Sequence, residues 1–199
     1  VKQIVLGLAV ALILAVGPAL VEAGDEASPY PQHIKMFDTP PAYAEQLGDY
    51  RRRWERLTGF EYSGLHWNQF IMVYTNLGGE VYQNNYLEFM RWYEDPDEPD
   101  NLPQYQPYPV GTVVLKENFL AEEGKPTQAT TVTAMIKQPP GYAPAAGDWE
   151  YLQFDAAGRI IVAGRGDDPA IHALCADCHN NMAERDYIFS QIYSAAGRD

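Results

Sequence analysis

Thiols, imidazoles and positive charge are all scarce in this sequence. Its 199 residues hold 2 cysteines and 4 histidines, and 14 Lys and Arg stand against 27 Asp and Glu, a net charge of −13. So acidic a chain has no electrostatic hold on phosphate backbones or anionic lipid, which excludes nucleic acid and charged membrane surfaces as partners. It permits a basic partner, such as a small soluble electron carrier. No second Cys or His pair accompanies the two cysteines, so the usual four-ligand zinc site is missing. No βαβ pattern precedes them, which argues against a thioredoxin-like redox pair. A sustained apolar run is lacking too. The one near the start, Ile4 to Val16, stops at Gly17-Pro18, short of the roughly 20 residues a spanning helix needs.

What is present gives these absences meaning. Lys2, the apolar run and the small residues Val21 and Ala23 have the order of a secretory signal peptide, with cleavage after Ala23. The expectation is export to the periplasm or an equivalent compartment, with no membrane attachment after cleavage. The two cysteines lie in HALCADCHNN, three positions apart, with His179 directly behind Cys178. A disulfide over so short a loop would restrain little of the unfolded chain. Cys-x-x-Cys-His instead matches covalent haem c: two sulfurs spaced for the two vinyl groups, and an imidazole tethered beneath the iron. One covalent haem is expected, attached through Cys175 and Cys178, with His179 as proximal ligand. Such haem is assembled outside the cytoplasm, which agrees with the leader.

Periodicity and turn signals organise the rest. Residues 24–41 read as a Pro-rich arm. The spacing of Tyr43, Leu47, Tyr50, Trp54 and Leu57 predicts a helix over 41–57, and that of Val81, Tyr86, Met90 and Tyr93 another over 79–94. Strands are predicted over 65–76, 110–119, 127–138, 149–155 and 159–164. Ala156-Ala157-Gly158 joins the last two as a hairpin. Asp168-Pro169 starts a helix at the haem motif, and a final helix is predicted over 183–195. The domain reading is 1–23 signal peptide, 24–60 N-terminal arm and helix, and 61–199 haem domain. The fold class is α+β: an antiparallel sheet packed against a covalently bound haem c, with flanking helices. Small electron-transfer cytochromes c are mostly helical and carry the haem motif early. A motif placed late, behind a sheet, implies a walled pocket.

Function turns on the sixth iron position, which an electron carrier fills and a gas binder or enzyme leaves open. The candidates to fill it are Met36, Met72, Met90, Met135, Met182, His33, His66 and His172. Met182 and His172 are too near the motif to cross the porphyrin plane, and Met72, Met90 and Met135 sit in apolar patterns. No methionine occupies the kind of loop that supplies an axial sulfur, so an open site is expected. In VVLKENF, alternation puts Val114, Lys116 and Asn118 on one face and Val113, Leu115 and Glu117 on the other. On spacing alone Lys116 reads as a solvent-face or edge lysine.

Three blocks, YPVGTVVLKENF, MIKQPPGYAPAAGDWEYLQFD and CADCHNNMAERDYIF, together resemble the cytochrome P-460 family over about residues 108–189. The resemblance implies an exported monohaem protein, often a homodimer, with a sheet standing against a five-coordinate haem c. It implies oxidation of hydroxylamine to nitrous oxide or other nitrogen oxides. By position Lys116 matches the family's lysine that is joined to the porphyrin edge, with Lys137 as the fallback. The related cytochromes c-prime-beta imply the alternative, binding of nitric oxide or carbon monoxide without oxidation. A simple electron-transfer cytochrome is the third reading. Arg91, Glu117, Glu150 and Asp177 are the acid–base candidates.

Overall fold

The computed structural model describes residues 34–63 and 68–190. The signal-peptide reading, His33 and His66 fall outside them. Among the described residues, seven strands form one antiparallel sheet: β1 (Glu55–Arg56), β2 (Glu61–Ser63), β3 (Gln69–Thr75), β4 (Val113–Glu122), β5 (Lys125–Lys137), β6 (Trp149–Asp155) and β7 (Ile160–Arg165). The spatial order is β1-β3-β4-β5-β6-β7, with β2 also paired to β3. With the helices on its flanks, this is the α+β architecture that the order of elements predicted.

The long β4–β5 hairpin turns on Glu123-Gly124, both at positive φ (51° and 73°). Two left-handed central residues match the right-handed twist of the flanking strands. At the predicted β6–β7 hairpin, Asp155 Oδ1 accepts from the backbone N–H groups of Ala157 and Arg159.

Paired residues in a ladder share a face, so the register divides the sheet. Lys116 pairs with Val73 and Thr133, Val114 with Met135, Met135 with Tyr151, and Lys137 with Trp149. These residues make the front face. Glu117 pairs with Met72 and Val132, and Leu115 with Tyr74 and Ala134; these make the back. The alternation read from VVLKENF is the one observed. The front face packs into a cluster with Leu57, Tyr82, Tyr108, Ile171, Ala176 and Ile188, against which Cys175 lies.

Residues 34–54 cover the back face. Phe37 meets Phe119 edge-on with ring centroids 5.4 Å apart, and Tyr50 meets Tyr74 at 5.4 Å. Backbone N–H of Asp38 donates to Ala156 at the β6–β7 turn. The helix expected over 41–57 is broken. A 3-10 turn, Pro41–Tyr43, leads into α1 (Ala44–Leu47) and α2 (Tyr50–Arg53). Gly48 is extended and Asp49 is left-handed at φ 61° between them. Leu47 and Tyr50 are buried on either side of the break, and Tyr50 and Arg51 both donate to Glu117.

Helix α3, Gly79–Glu94, has the predicted bounds, but its buried stripe differs. Gly79, Tyr82, Asn85 and Tyr86 are buried, while Tyr93 is 62% exposed. Asn85 explains the difference. Its amide donates to the carbonyl of Gln106 and accepts from the Gln106 N–H, at 2.9 and 2.8 Å, so a polar residue lies at the centre of the face that an apolar search passes over. The haem-motif segment starts at its predicted cap, Asp168, which accepts from the Ala170 N–H at 2.9 Å. It runs as α4 (Pro169–Ile171), a π-helical turn (His172–Ala176), α5 (Asp177–His179) and a 3-10 turn (Asn180–Arg185). The helix expected over 183–195 is absent from its described part. Asp186 and Tyr187 turn left-handed, and 188–190 are irregular.

Candidate haem site

The site is built from the haem-motif segment on one side and the front face of the sheet on the other. The Nδ1 of His179 lies 2.7 Å from the carbonyl oxygen of Tyr187. A carbonyl can only accept, so Nδ1 carries the proton and donates it there. This fixes the tautomer and leaves the lone pair on Nε2, the nitrogen that can ligate a metal. The rings of Tyr151 and Phe189 stand edge-on to the imidazole with centroids 5.6 and 5.2 Å away. Burial lowers the His179 pKa to about 4, partly opposed by the Tyr187 hydrogen bond and reinforced by the charge of Lys116. The ring is therefore neutral at ordinary pH, as a ligand must be.

Cys175 and Cys178 are both free thiols, the first partly buried and the second exposed. Burial raises the Cys175 pKa and the charge of Lys116 opposes the rise. The same coupling is felt from the other end. Burial lowers the Lys116 pKa to about 7, while Cys175 and Cys178 pull it back up. Lys116 thus faces the motif across the front of the sheet, and its solvent-face reading is overturned. Both faces of β4 are covered, one by the motif side and the other by residues 34–54.

Lys137, the fallback for Lys116, is committed elsewhere. Its Nζ donates to Asp186 Oδ1 at 2.6 Å and to the Gly147 carbonyl at 2.8 Å, and lies 4.9 Å from the centroid of the Trp149 ring. The acid–base candidates lie apart from this face or out in solvent. Glu117 is fully buried on the back, where Tyr50 Oη and Arg51 Nε donate to it, the latter at 2.7 Å. Glu150, on the same back face, accepts from Tyr43 Oη at 3.0 Å and Gln138 Nε2 at 2.6 Å. Arg91 is exposed and paired with Glu88, and Asp177 is exposed within the motif helix. Of the methionines, Met72 Sδ accepts from Tyr74 Oη at 2.8 Å, Met182 Sδ accepts from Arg185, and Met135 packs in the front cluster. His172 Nε2 contacts Asn180 Nδ2 at 3.4 Å.

Sequence reasoning missed the Tyr187 carbonyl, the rings of Tyr151 and Phe189, and Asp186. A main-chain acceptor leaves no trace in residue type. Asp186 carried a faint signal, since aspartate tolerates the left-handed conformation better than most residues.

The residues present suit a haem. Two free thiols at the vinyl spacing adjoin a neutral imidazole with one nitrogen committed and one open. Facing them is an apolar wall of Val73, Val114, Met135 and Tyr151. An antiparallel sheet set against a helix of this composition defines an α+β protein with a c-type haem motif. The family model described as Cytochrome P460 matches residues 71–190, and the chain belongs to that family, a family of c-type haem cytochromes. The matched span takes in Lys116, both cysteines, His179 and Tyr187, and leaves out the back cover at 34–54. No curated protein matches the chain.

Proposed function

We propose that this chain is an exported monohaem cytochrome that oxidises hydroxylamine to nitrogen oxides. The haem is held covalently by Cys175 and Cys178, His179 is its proximal ligand, and the sixth position is open. The observation that carries this reading is Lys116, which stands on the front face opposite the motif and is coupled to both thiols. Bound haem supplies an iron centre that takes a nitrogenous substrate and accepts electrons. Two hydroxylamine molecules give one nitrous oxide, one water, four protons and four electrons. The electrons pass to a soluble carrier, for which an acidic protein with net charge −13 favours a basic partner.

Lys116 tunes the site by joining its Nζ to a porphyrin edge carbon. One C–H and one N–H give way to a C–N bond, and the two electrons and two protons released go to a two-electron oxidant of the peroxide class. Peptide mapping of haem-bearing protein is expected to find the segment holding Lys116 joined to the haem peptide, with a red-shifted ferrous Soret band. Lys116→Leu is expected to restore an ordinary haem c spectrum and remove hydroxylamine oxidation while the haem stays bound. A wild-type chain with a lone haem peptide, an ordinary spectrum and no hydroxylamine turnover would move the protein to binding of nitric oxide or carbon monoxide.

A further inference from the structure

The chain leaves the haem motif through a corner made of two left-handed residues, Asp186 at φ 52° and Tyr187 at φ 67°. Neither is glycine, and an L side chain in this region crowds the following carbonyl. Such a corner persists only where its surroundings over-determine it. Here Asp186 supplies the restraint. Its Oδ2 accepts from the Tyr108 N–H at 2.7 Å, and its Oδ1 accepts from Lys137 Nζ at 2.6 Å. Its main-chain carbonyl accepts from Trp149 Nε1 at 3.0 Å. The Lys137 and Asp186 side chains are only 12% and 11% exposed. Opposite them, a Cβ on Gly147 would lie 2.2 Å from the Tyr187 ring, so the ring and the loop before β6 are in close contact. The corner delivers one product to the site: the Tyr187 carbonyl, 2.7 Å from His179 Nδ1.

We propose that the Lys137–Asp186 pair is a proximal clamp, which fixes the corner whose Tyr187 carbonyl takes the Nδ1 proton of His179 and thereby sets how strongly that imidazole holds iron. The proposal rests on the reading of His179 as proximal ligand. Both clamp residues are positioning residues. They reach the imidazole only through the backbone of 186–187. A carbonyl accepting from Nδ1–H makes Nε2 more basic, which strengthens the axial bond and favours the ferric state. Loosening the corner lengthens that hydrogen bond and reverses both effects. The clamp also gives Lys137 a role at the corner, distinct from the one proposed for Lys116.

The test uses haem-bearing protein produced with cytochrome c maturation machinery. Its readouts are the midpoint potential and the iron–histidine stretching band of the ferrous form. Asp186→Ala is expected to raise the potential and move the stretch to lower frequency. Lys137→Met should shift both the same way by less, and Asp186→Asn, which keeps an acceptor for the Tyr108 N–H, should recover part of the change. Tyr43→Phe, which removes a hydrogen bond on the back face, is expected to leave both at wild-type values and so controls for destabilisation alone. If Asp186→Ala does not yield holoprotein, Lys137→Met and Asp186→Asn decide the matter on potential. Wild-type values in the haem-bearing clamp variants overturn the clamp and leave the haem assignment standing. Failure of the wild-type chain to retain haem after acid-acetone extraction, or His179→Ala with an unchanged axial spectrum, overturns the assignment and the clamp with it.

Discussion

Lys116 and Glu117 are adjacent in β4, opposite in charge, and turned to opposite faces of one sheet. Glu117 is fully buried among partners chosen for it, taking hydrogen bonds from Tyr50 and Arg51. Lys116 faces thiols and an imidazole, and burial pulls its pKa down to about 7. The back face is thus electrostatically closed, while the front face keeps an amine, two free thiols and a neutral imidazole in one region. A buried charge with its counter-ion and hydrogen bonds holds structure together, and removing one partner is costly. A buried amine without such a partner tends toward its neutral, nucleophilic form. The family match, residues 71–190, contains the front-face chemistry and omits the segment that closes the back. The two faces should therefore fail in different ways.

The sharpest break is on the front. Cys175→Ala with Cys178→Ala is expected to abolish covalent haem entirely, read as loss of haem staining on a denaturing gel, while the sheet still forms by circular dichroism. On the back, Glu117→Ala removes the buried carboxylate to which Tyr50 Oη and Arg51 Nε donate. It should cost about 3 kcal/mol in urea unfolding of the haem-bearing protein. Its Soret band should match wild type, and a shifted band would mean that the two faces are not independent. Tyr50→Phe removes only the hydroxyl that donates to Glu117, and about 1.5 kcal/mol is expected for a hydrogen bond to a charged group. The smallest effect belongs to Asp168→Ala. Losing the cap of the haem-motif segment should cost about 1 kcal/mol, measured by thermal melting, with haem content unchanged. A loss of haem in this variant would show that the cap positions the cysteines as well as starting the segment.

How much was legible follows the range of the forces involved. Strands β5, β6 and β7 and the hairpin at 156–158 came from alternation and turn residues, which act over a few positions. The haem motif was legible because its signal is local: Cys175, Cys178 and His179 stand within five consecutive positions. The two faces of β4 were legible for the same local reason, since the pleat alternates at every residue. Where partners lay far along the chain, the reading failed. The 41–57 helix broke at Gly48-Asp49 because Tyr50 and Arg51 answer Glu117, more than sixty positions away. The stripe of α3 was misplaced because Asn85 answers the backbone of Gln106.

By itself, then, the sequence determined the sheet's alternation, the Cys-x-x-Cys-His string and the acidic character, since each of these is written in residue types. Tertiary structure decided which side of the sheet each charge serves. It turned Lys116 toward the motif and Glu117 toward Arg51. It tied Lys137 to Asp186 and brought the carbonyl of Tyr187 to the back of His179. Those assignments depend on a left-handed corner and on contacts between distant segments. A backbone oxygen has no letter in the sequence, so only the folded chain shows which one holds the imidazole.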